Sequence, residues 1–477
     1  MDRISYTISL IGAGLTIYRY GFLLSDPEIV NLFIFQDVLF GVYLLIFISK
    51  FLVSSNLLDY LKANFFEALL ASCIAIQGFS NYFYDYKFVL ELFKSIEYSS
   101  PLLSYQHFLS AYLVLLLGLD FVKIASHLSE ISLKPATTFL MSFILLILAG
   151  AGLLMLPAMT TIDGGMPFID ALFTSVSASC VTGLIVEDTG TFFTMKGHVI
   201  ILFLIQFGGI GIVSFATFFA TFLAKGVGLK HQSMIQDYLS SENLVSATGL
   251  LRKVILLTLG IELLGAIAIF LTWEEGLWDQ THQFHSLSEK VFFSFFHSVS
   301  AFCNAGFSLF TDGLYNNDFS IRKMYNLHFV MAMIIIFGGL GFTVIEDIFS
   351  PKNIMTRLKQ PWRKWEIGTK MAVYGTFWLI VIGTVGFMIL EFDQLTDRNI
   401  VDAFITSMFQ SVPTRTAGFN TMDFGSLQTA TIIMCFGTRV TTSAKEVEKF
   451  YNVSKLMGKT PIEGELTYHH ANGWAHP

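Results

Sequence analysis

The sequence predicts an all-α integral membrane protein: an amino-terminal helical bundle, then repeated units of span, half-helix, glycine hairpin and span. Three observations predict it. Hydrophobic residues make up 53% of the 477 and charged residues only 14%, against ~25% charge in a soluble chain. Apolar runs recur near the ~20 residues a helix needs to cross a bilayer. Three glycine hairpins of matching spacing lie between paired runs. The net charge of −7 is small for this length, so no attraction to nucleic acid is expected. Cys73, Cys180, Cys303 and Cys435 are scattered with no CxxC pair, which excludes a disulfide scaffold and suggests no zinc site.

Residues 1–130 hold runs at about 4–24, 29–54, 66–84 and 102–122, read as a transmembrane bundle. The first run has no basic leader or small-residue cut site and is read as a membrane helix. No helix carries arginine at every third position, so a voltage sensor is not expected. Residues 131–235 form the first repeat, with spans at 135–162 and 197–224. Residues 245–350 form the second, with spans at 254–273 (interrupted by Glu262) and 324–345. Residues 365–436 form an incomplete third, with spans at 371–390 and 427–436, and 437–477 read as a polar tail. Basic residues cluster in 225–253 and 348–370, which places those loops on the cytoplasmic side; the acidic connections 159–196 and 274–323 then face outward.

The repeat is visible residue by residue. ALFTSVSASCVTGLIVEDTG (171–190), SFFHSVSAFCNAGFSLFTDG (294–313) and TSMFQSVPTRTAGFNTMDFG (406–425) align on Gly183, Gly306 and Gly418. A large apolar residue follows each (Leu184, Phe307, Phe419), and a second glycine falls seven residues later (Gly190, Gly313, Gly425). The second spans of the first two repeats share a glycine cluster at 208–211 and 338–341; the one at 208–211 is read as close helix packing, with a hinge as the alternative.

Non-helical backbone at membrane depth must be buried or line a watery cavity. A short helix ending in a glycine hairpin can aim several carbonyls at one point and replace part of a cation's hydration shell. Glycine suits the turn because positive φ costs it nothing. The negative end of the half-helix also favours a cation there. The residues thus predict a carbonyl-lined ion filter.

VTGL (181–184), NAGF (304–307) and especially QSVPTRTAGFNT (410–421) resemble the filter loops of the Trk/Ktr/HKT superfamily of potassium transporters. LLMLP at 153–157 and the stretch 206–211 are similar to it as well, and the resemblance covers about 130–436. It implies a pseudo-fourfold pore of four units in one polypeptide, three of them visible here, passing K+ inward through a bacterial cytoplasmic membrane. It also implies a homodimer and a cytosolic nucleotide-binding regulatory ring. The implied filter comprises Val181, Thr182, Gly183, Asn304, Ala305, Gly306, Thr416, Ala417 and Gly418, with K+ held by backbone carbonyls. Glycine at 183, where sodium-preferring plant relatives have serine, leans toward potassium. Coupling to Na+ or H+ is left open, and no covalent cofactor is expected.

The chain departs from that pattern after Gly425: no fourth hairpin or intramembrane gate loop is visible. The expectation is a truncated or frame-shifted product whose open ring lacks ligands on one side, and a non-conducting interaction or regulatory subunit is the alternative. Four further residues are candidate modulators. Arg415 is read first as a loop anchor paired with a carboxylate, and Glu262 as hydrogen-bonded to a neighbouring half-helix or loop. Asp188 and Asp423 either draw cations to the outer mouth or start helices. His282 and His285 lack a third ligand and are read as surface residues. No HExxH or GxSxG motif is present, so an enzyme is not expected.

Overall fold

The computed structural model describes residues 2–54, 56–83, 135–226, 247–273, 286–311, 313–314, 324–360, 365–395, 399–422 and 424–441. These are helical, with no strand among them beyond an isolated bridge between Thr160 and Phe193. The chain forms two compact units, divided at Lys134 apart from a short crossing at 156–158.

The first unit contains α1 (Asp2–Gly21), α2 (Asp26–Val53), α3 (Leu57–Ala63) and α4 (Phe65–Phe83). α2 starts at a capping box: Ser25 donates its amide and hydroxyl to the Glu28 carboxylate at 2.8 and 2.7 Å, with Pro27 in the first turn. Such a cap satisfies amides that the first turn leaves unpaired. The run expected at 102–122 lies outside the described residues, as do His282 and His285.

The second unit carries three copies of one motif. The first is α5 (Pro135–Leu154), α6 (Phe168–Ser179) and α7 (Met195–Gly226). The second is α8 (Ala247–Thr272), α9 (Leu287–Phe302), α10 (Tyr325–Leu340) and α11 (Phe342–Phe349), followed by the basic helix α12 (Pro351–Lys359). The third is α13 (Ile367–Leu390), α14 (Ile400–Ser411) and α15 (Thr429–Thr441). Helices 252–272 and 367–390 are long and apolar enough to span a bilayer, as is 27–53 in the first unit. The half-helices α6, α9 and α14 have 12, 16 and 12 residues; at ~1.5 Å per residue they fall short of a ~30 Å hydrocarbon core.

Two expected spans end earlier than their apolar runs. The run 135–162 gives a helix only to Leu154, because Pro157 cannot continue the ladder. The run 324–345 breaks at Gly341, whose φ of 84° is left-handed, and restarts as α11. In the first repeat the matching glycines stay inside the continuous α7.

One joint recurs in all three copies. Ser175 Oγ donates to the Ile147 carbonyl at 2.7 Å, Ser298 to Glu262 at 2.7 Å and Ser411 to Ile380 at 3.1 Å. Three residues beyond each carbonyl stands a glycine (Gly150, Gly265, Gly383), and a Cβ there would collide with the serine hydroxyl. The half-helix is thus pinned flat against its own first span. Gly208 and Gly338 do the same from the second span, where a Cβ would overlap the carbonyls of Ser179 and Phe302 at the half-helix ends.

The core lies between repeats. One cluster joins Leu154, Phe192, Ile201 and Ile205 of the first to Phe296, Val299 and Phe307 of the second. Another joins Ile269, Leu314, Leu327 and Met331 of the second to Phe409, Val412 and Phe419 of the third. The outer sides expose apolar residues such as Leu145, Phe203, Leu264 and Trp378, as surfaces facing lipid do.

Candidate functional site

Each half-helix ends where its hairpin begins, and the first two ends are alike. The Val181 amide donates to the Ala178 carbonyl at 3.2 Å and Thr182 to Ser177 at 2.8 Å; Asn304 donates to Ala301 at 3.1 Å and Ala305 to Ser300 at 2.7 Å. This paired pattern is a Schellman cap, which requires a left-handed residue after the helix. Val181 (φ 57°) and Asn304 (φ 58°) supply it. Asparagine tolerates that region, whereas a β-branched valine is strained there. Among the described residues no backbone amide donates to the carbonyls of Val181, Thr182, Asn304 or Ala305.

The third hairpin is built differently. Its Ser-Val pair sits one residue nearer to its glycine than in the other copies. Pro413–Thr416 adds a single helical turn, and the Ala417 and Gly418 amides both donate to the Pro413 carbonyl, at 2.9 and 3.2 Å. No left-handed residue is needed before the glycine, and Thr416 does not adopt one.

All three strands then reach a left-handed glycine: Gly183 at φ 79°, Gly306 at 74° and Gly418 at 74°. The glycines are neighbours in one order. A Cβ on Gly183 would overlap the Ala305 carbonyl oxygen and lie 3.4 Å from Gly306 Cα; one on Gly306 would overlap the Ala417 oxygen and lie 3.1 Å from Gly418 Cα. The first and second hairpins therefore each present a bare glycine to the carbonyl of the next. The second glycines repeat the relation: Gly190 abuts the Leu309 carbonyl and Gly313 abuts the Asn420 side chain, while Leu314 N–H donates to the Asn420 carbonyl at 3.1 Å. Backbone could not approach this closely with any larger residue in place.

Side chains of the half-helices hold the outgoing strands. His297 Nδ1 lies 2.8 Å from the Phe293 carbonyl while its Nε2 accepts from Leu309 N–H at 3.3 Å, which fixes a Nδ1–H tautomer. Gln410 stands at the same place in the third copy and accepts from Thr421 N–H at 2.9 Å and from its hydroxyl at 3.0 Å. Ser300 Oγ donates to the Phe307 carbonyl at 2.8 Å. Asn304, with its amide oriented to satisfy both ends, donates to the Ile335 carbonyl and accepts from Gly339 N–H, each at 3.2 Å. Phe307 and Phe419 are buried in the core, whereas Leu184 in the first copy is 59% exposed, with Ile185 and Val186 exposed beside it.

Such an arrangement can hold a cation through main-chain oxygens: three half-helix C-terminal ends and three hairpins meet within one patch. Comparison with known proteins agrees on the region, since residues 134–441 match the family described as TrkH, cation transport protein. The chain belongs to that family. It is 37% identical over 308 residues to the Ktr system potassium uptake protein B of Bacillus subtilis (strain 168), covering 63% of each chain. It is 34% identical over 306 residues to the protein of that name from Vibrio alginolyticus, covering 62% of this chain and 61% of that one. The potassium/sodium uptake protein NtpJ of Enterococcus hirae is 30% identical over 312 residues, covering 63% of each. The chain thus spans under two thirds of the length of these relatives. The crystal structure of the potassium transporter TrkH from Vibrio parahaemolyticus aligns with a TM-score of 0.47 and 18% identity, over 69% of this chain and 62% of that one.

The candidate modulators of this TrkH-family membrane protein fall in different places. Asp188 caps the turn Thr189–Phe192, accepting from Thr191 N–H at 3.0 Å and from its hydroxyl at 3.1 Å. Asp423 lies outside the described residues. Arg415 is buried in the extra turn of the third hairpin, and no carboxylate among the described residues lies within ion-pair distance of it. Glu262 is fully buried; its Oε2 accepts from Gln206 Nε2 at 3.0 Å and its Oε1 lies 3.9 Å from Cys303 Sγ. The serine joints, His297 and Gln410 were not singled out by the sequence. Their common signal is the Phe-X-Ser-Val tetrapeptide at 173–176, 296–299 and 409–412.

Proposed function

We propose that the chain takes up potassium by selective permeation, with the carbonyls of Val181, Thr182, Asn304, Ala305, Thr416 and Ala417 and the glycines Gly183, Gly306 and Gly418 forming its filter. The single observation that carries this reading is the mutual approach of the three glycines. A dehydrated K+ exchanges water oxygens for these carbonyls, and membrane potential drives it inward with about 2.3 kcal/mol per charge at 100 mV. No bond is made or broken in the protein, so the reading is of a permeation protein and not an enzyme. The relatives named for potassium uptake support the ion, and NtpJ, named for potassium and sodium, keeps a sodium role open.

The repeats then correspond to 131–235, 245–350 and 365–436, behind a bundle at 1–130, in a bacterial cytoplasmic membrane. The stagger that seats Phe307 on the first repeat and Phe419 on the second leaves Leu184 and Gly418, which meets only Gly306 among the described residues, as the two edges a fourth filter strand would cover. A homodimer and a cytosolic regulatory ring follow from the family resemblance, and the name Ktr system speaks for a further component. Helix α12 offers it Lys352, Lys359 and the exposed Met355 and Leu358.

Growth of a bacterium lacking its own potassium uptake, expressing this chain with and without an added fourth repeat, tests the proposal. Rescue at limiting potassium that disappears with Gly306→Ala supports permeation. No rescue by either version, with the protein present in the membrane, rejects it and leaves the interaction subunit.

A further inference from the structure

The two seams between adjacent repeats are built from equivalent positions with opposite chemistry. Glu262, Ile147 and Ile380 are the three first-span residues whose carbonyls take the half-helix serine. Gln206 and Ile336 each stand two residues before the glycine pair of their second spans. In the seam between the second and third repeats the equivalent positions are Ile336 and Ile380, both packed on one apolar cluster. The seam between the first and second instead pairs Gln206 with Glu262, hydrogen-bonded at 3.0 Å, with Glu262 fully buried and Gln206 partly so.

The polar seam also reaches the hairpin. Glu262 Oε1 faces Cys303 Sγ, the cap residue of α9, and Cys303 stands three residues before Gly306. Gly209, one turn beyond Gln206 on α7, leaves the room that Cys303 occupies, since a Cβ there would lie 2.6 Å from the sulfur. One residue thus touches the second span of the first repeat and the root of the second hairpin through its carboxylate, and the second half-helix through its main-chain carbonyl, which accepts from Ser298. A buried polar pair is directional, whereas two isoleucines can slide. Its natural effect is to fix a register.

We propose that Glu262 is a positioning residue that, through Gln206 and Cys303, sets the spacing of the first two filter strands and with it the discrimination of potassium from sodium. The proposal rests on the filter reading above. Its test compares Glu262→Gln, Glu262→Ile and the double variant Gln206→Ile/Glu262→Ile, which copies the apolar seam. Two readouts are used: rubidium-tracer uptake under sodium competition, and melting of the purified protein in potassium, sodium or choline chloride. The double variant should melt within a few degrees of the parent in choline yet lose about tenfold in potassium-over-sodium preference. Glu262→Gln, which can keep the bond to Gln206, should stay within about threefold of the parent. A double variant with the parent's preference overturns the proposal, as does a Gln variant that loses as much as the double. A parent protein with no potassium preference in either readout instead rejects the filter reading itself.

Discussion

Replacing Gly306 by alanine tests the packing of the hairpins at its tightest point. At φ 74° a residue with a Cβ pays about 1–2 kcal/mol for the left-handed region. The new methyl would also overlap the Ala417 carbonyl oxygen and sit 3.1 Å from Gly418 Cα. Both neighbours are backbone, so they cannot swing aside as a side chain would, and overpacking of this kind adds about 1–3 kcal/mol. The sum, about 2–5 kcal/mol, falls on a carbonyl assigned to the ion, and each 1.4 kcal/mol is tenfold. The apparent KM for potassium should therefore rise about 30-fold or more. Gly418→Ala is the internal control: it has the same φ, but among the described residues its Cβ would meet only Gly306 Cα, at an ordinary 3.5 Å. It should cost only the conformational part, about 5- to 30-fold. Potassium-dependent growth and tracer uptake at matched membrane levels read both. A Gly306→Ala protein within twofold of the parent would refute the reasoning. Equal severity at Gly418 would show that another strand lies against it.

Three further outcomes follow from the same geometry. Gly265→Ala drives a methyl into Ser298 Oγ and should lower the melting temperature. Ser298→Ala alone should cost about 1 kcal/mol, and the double variant should melt higher than the sum of the singles predicts by about 1 kcal/mol. His297→Leu strands the Leu309 amide and should cost about 1–3 kcal/mol; His297→Gln, the solution used at Gln410, should recover most of it, as read by melting with and without potassium. Asp347 receives Arg357 and the Glu366 amide near the basic helix α12, so Asp347→Ala should destabilise by about 1.5–3 kcal/mol in chemical or thermal denaturation.

The glycine spacing made the repeat and its hairpins readable, because a left-handed turn and a close backbone approach both demand glycine and leave few alternatives. The second glycines have the same origin: Gly190 and Gly313 sit where the next hairpin presses in. The serine joints were hidden although equally regular. Gly150, Gly265 and Gly383 stand 33, 41 and 35 residues before their filter glycines, since the connecting segments differ in length, so no constant spacing exposes them. The left-handed Val181 carried no signal at all, because the Schellman cap imposes that conformation on a residue whose type opposes it. In the third hairpin one residue fewer, with Pro413 in the gap, exchanged that cap for a helical turn. The kink at Gly341 was invisible because the matching cluster in α7, which differs only in Ile210 for Leu340, stays inside one continuous helix.

The most direct measurement is anomalous scattering from rubidium or thallium in crystals of the protein. A single peak between Gly183, Gly306 and Gly418, within about 3 Å of carbonyl oxygens from all three hairpins, is the result expected. Saturating ion with no density there, or density bound to side chains away from the hairpins, would contradict the assignment of these glycines to an ion path.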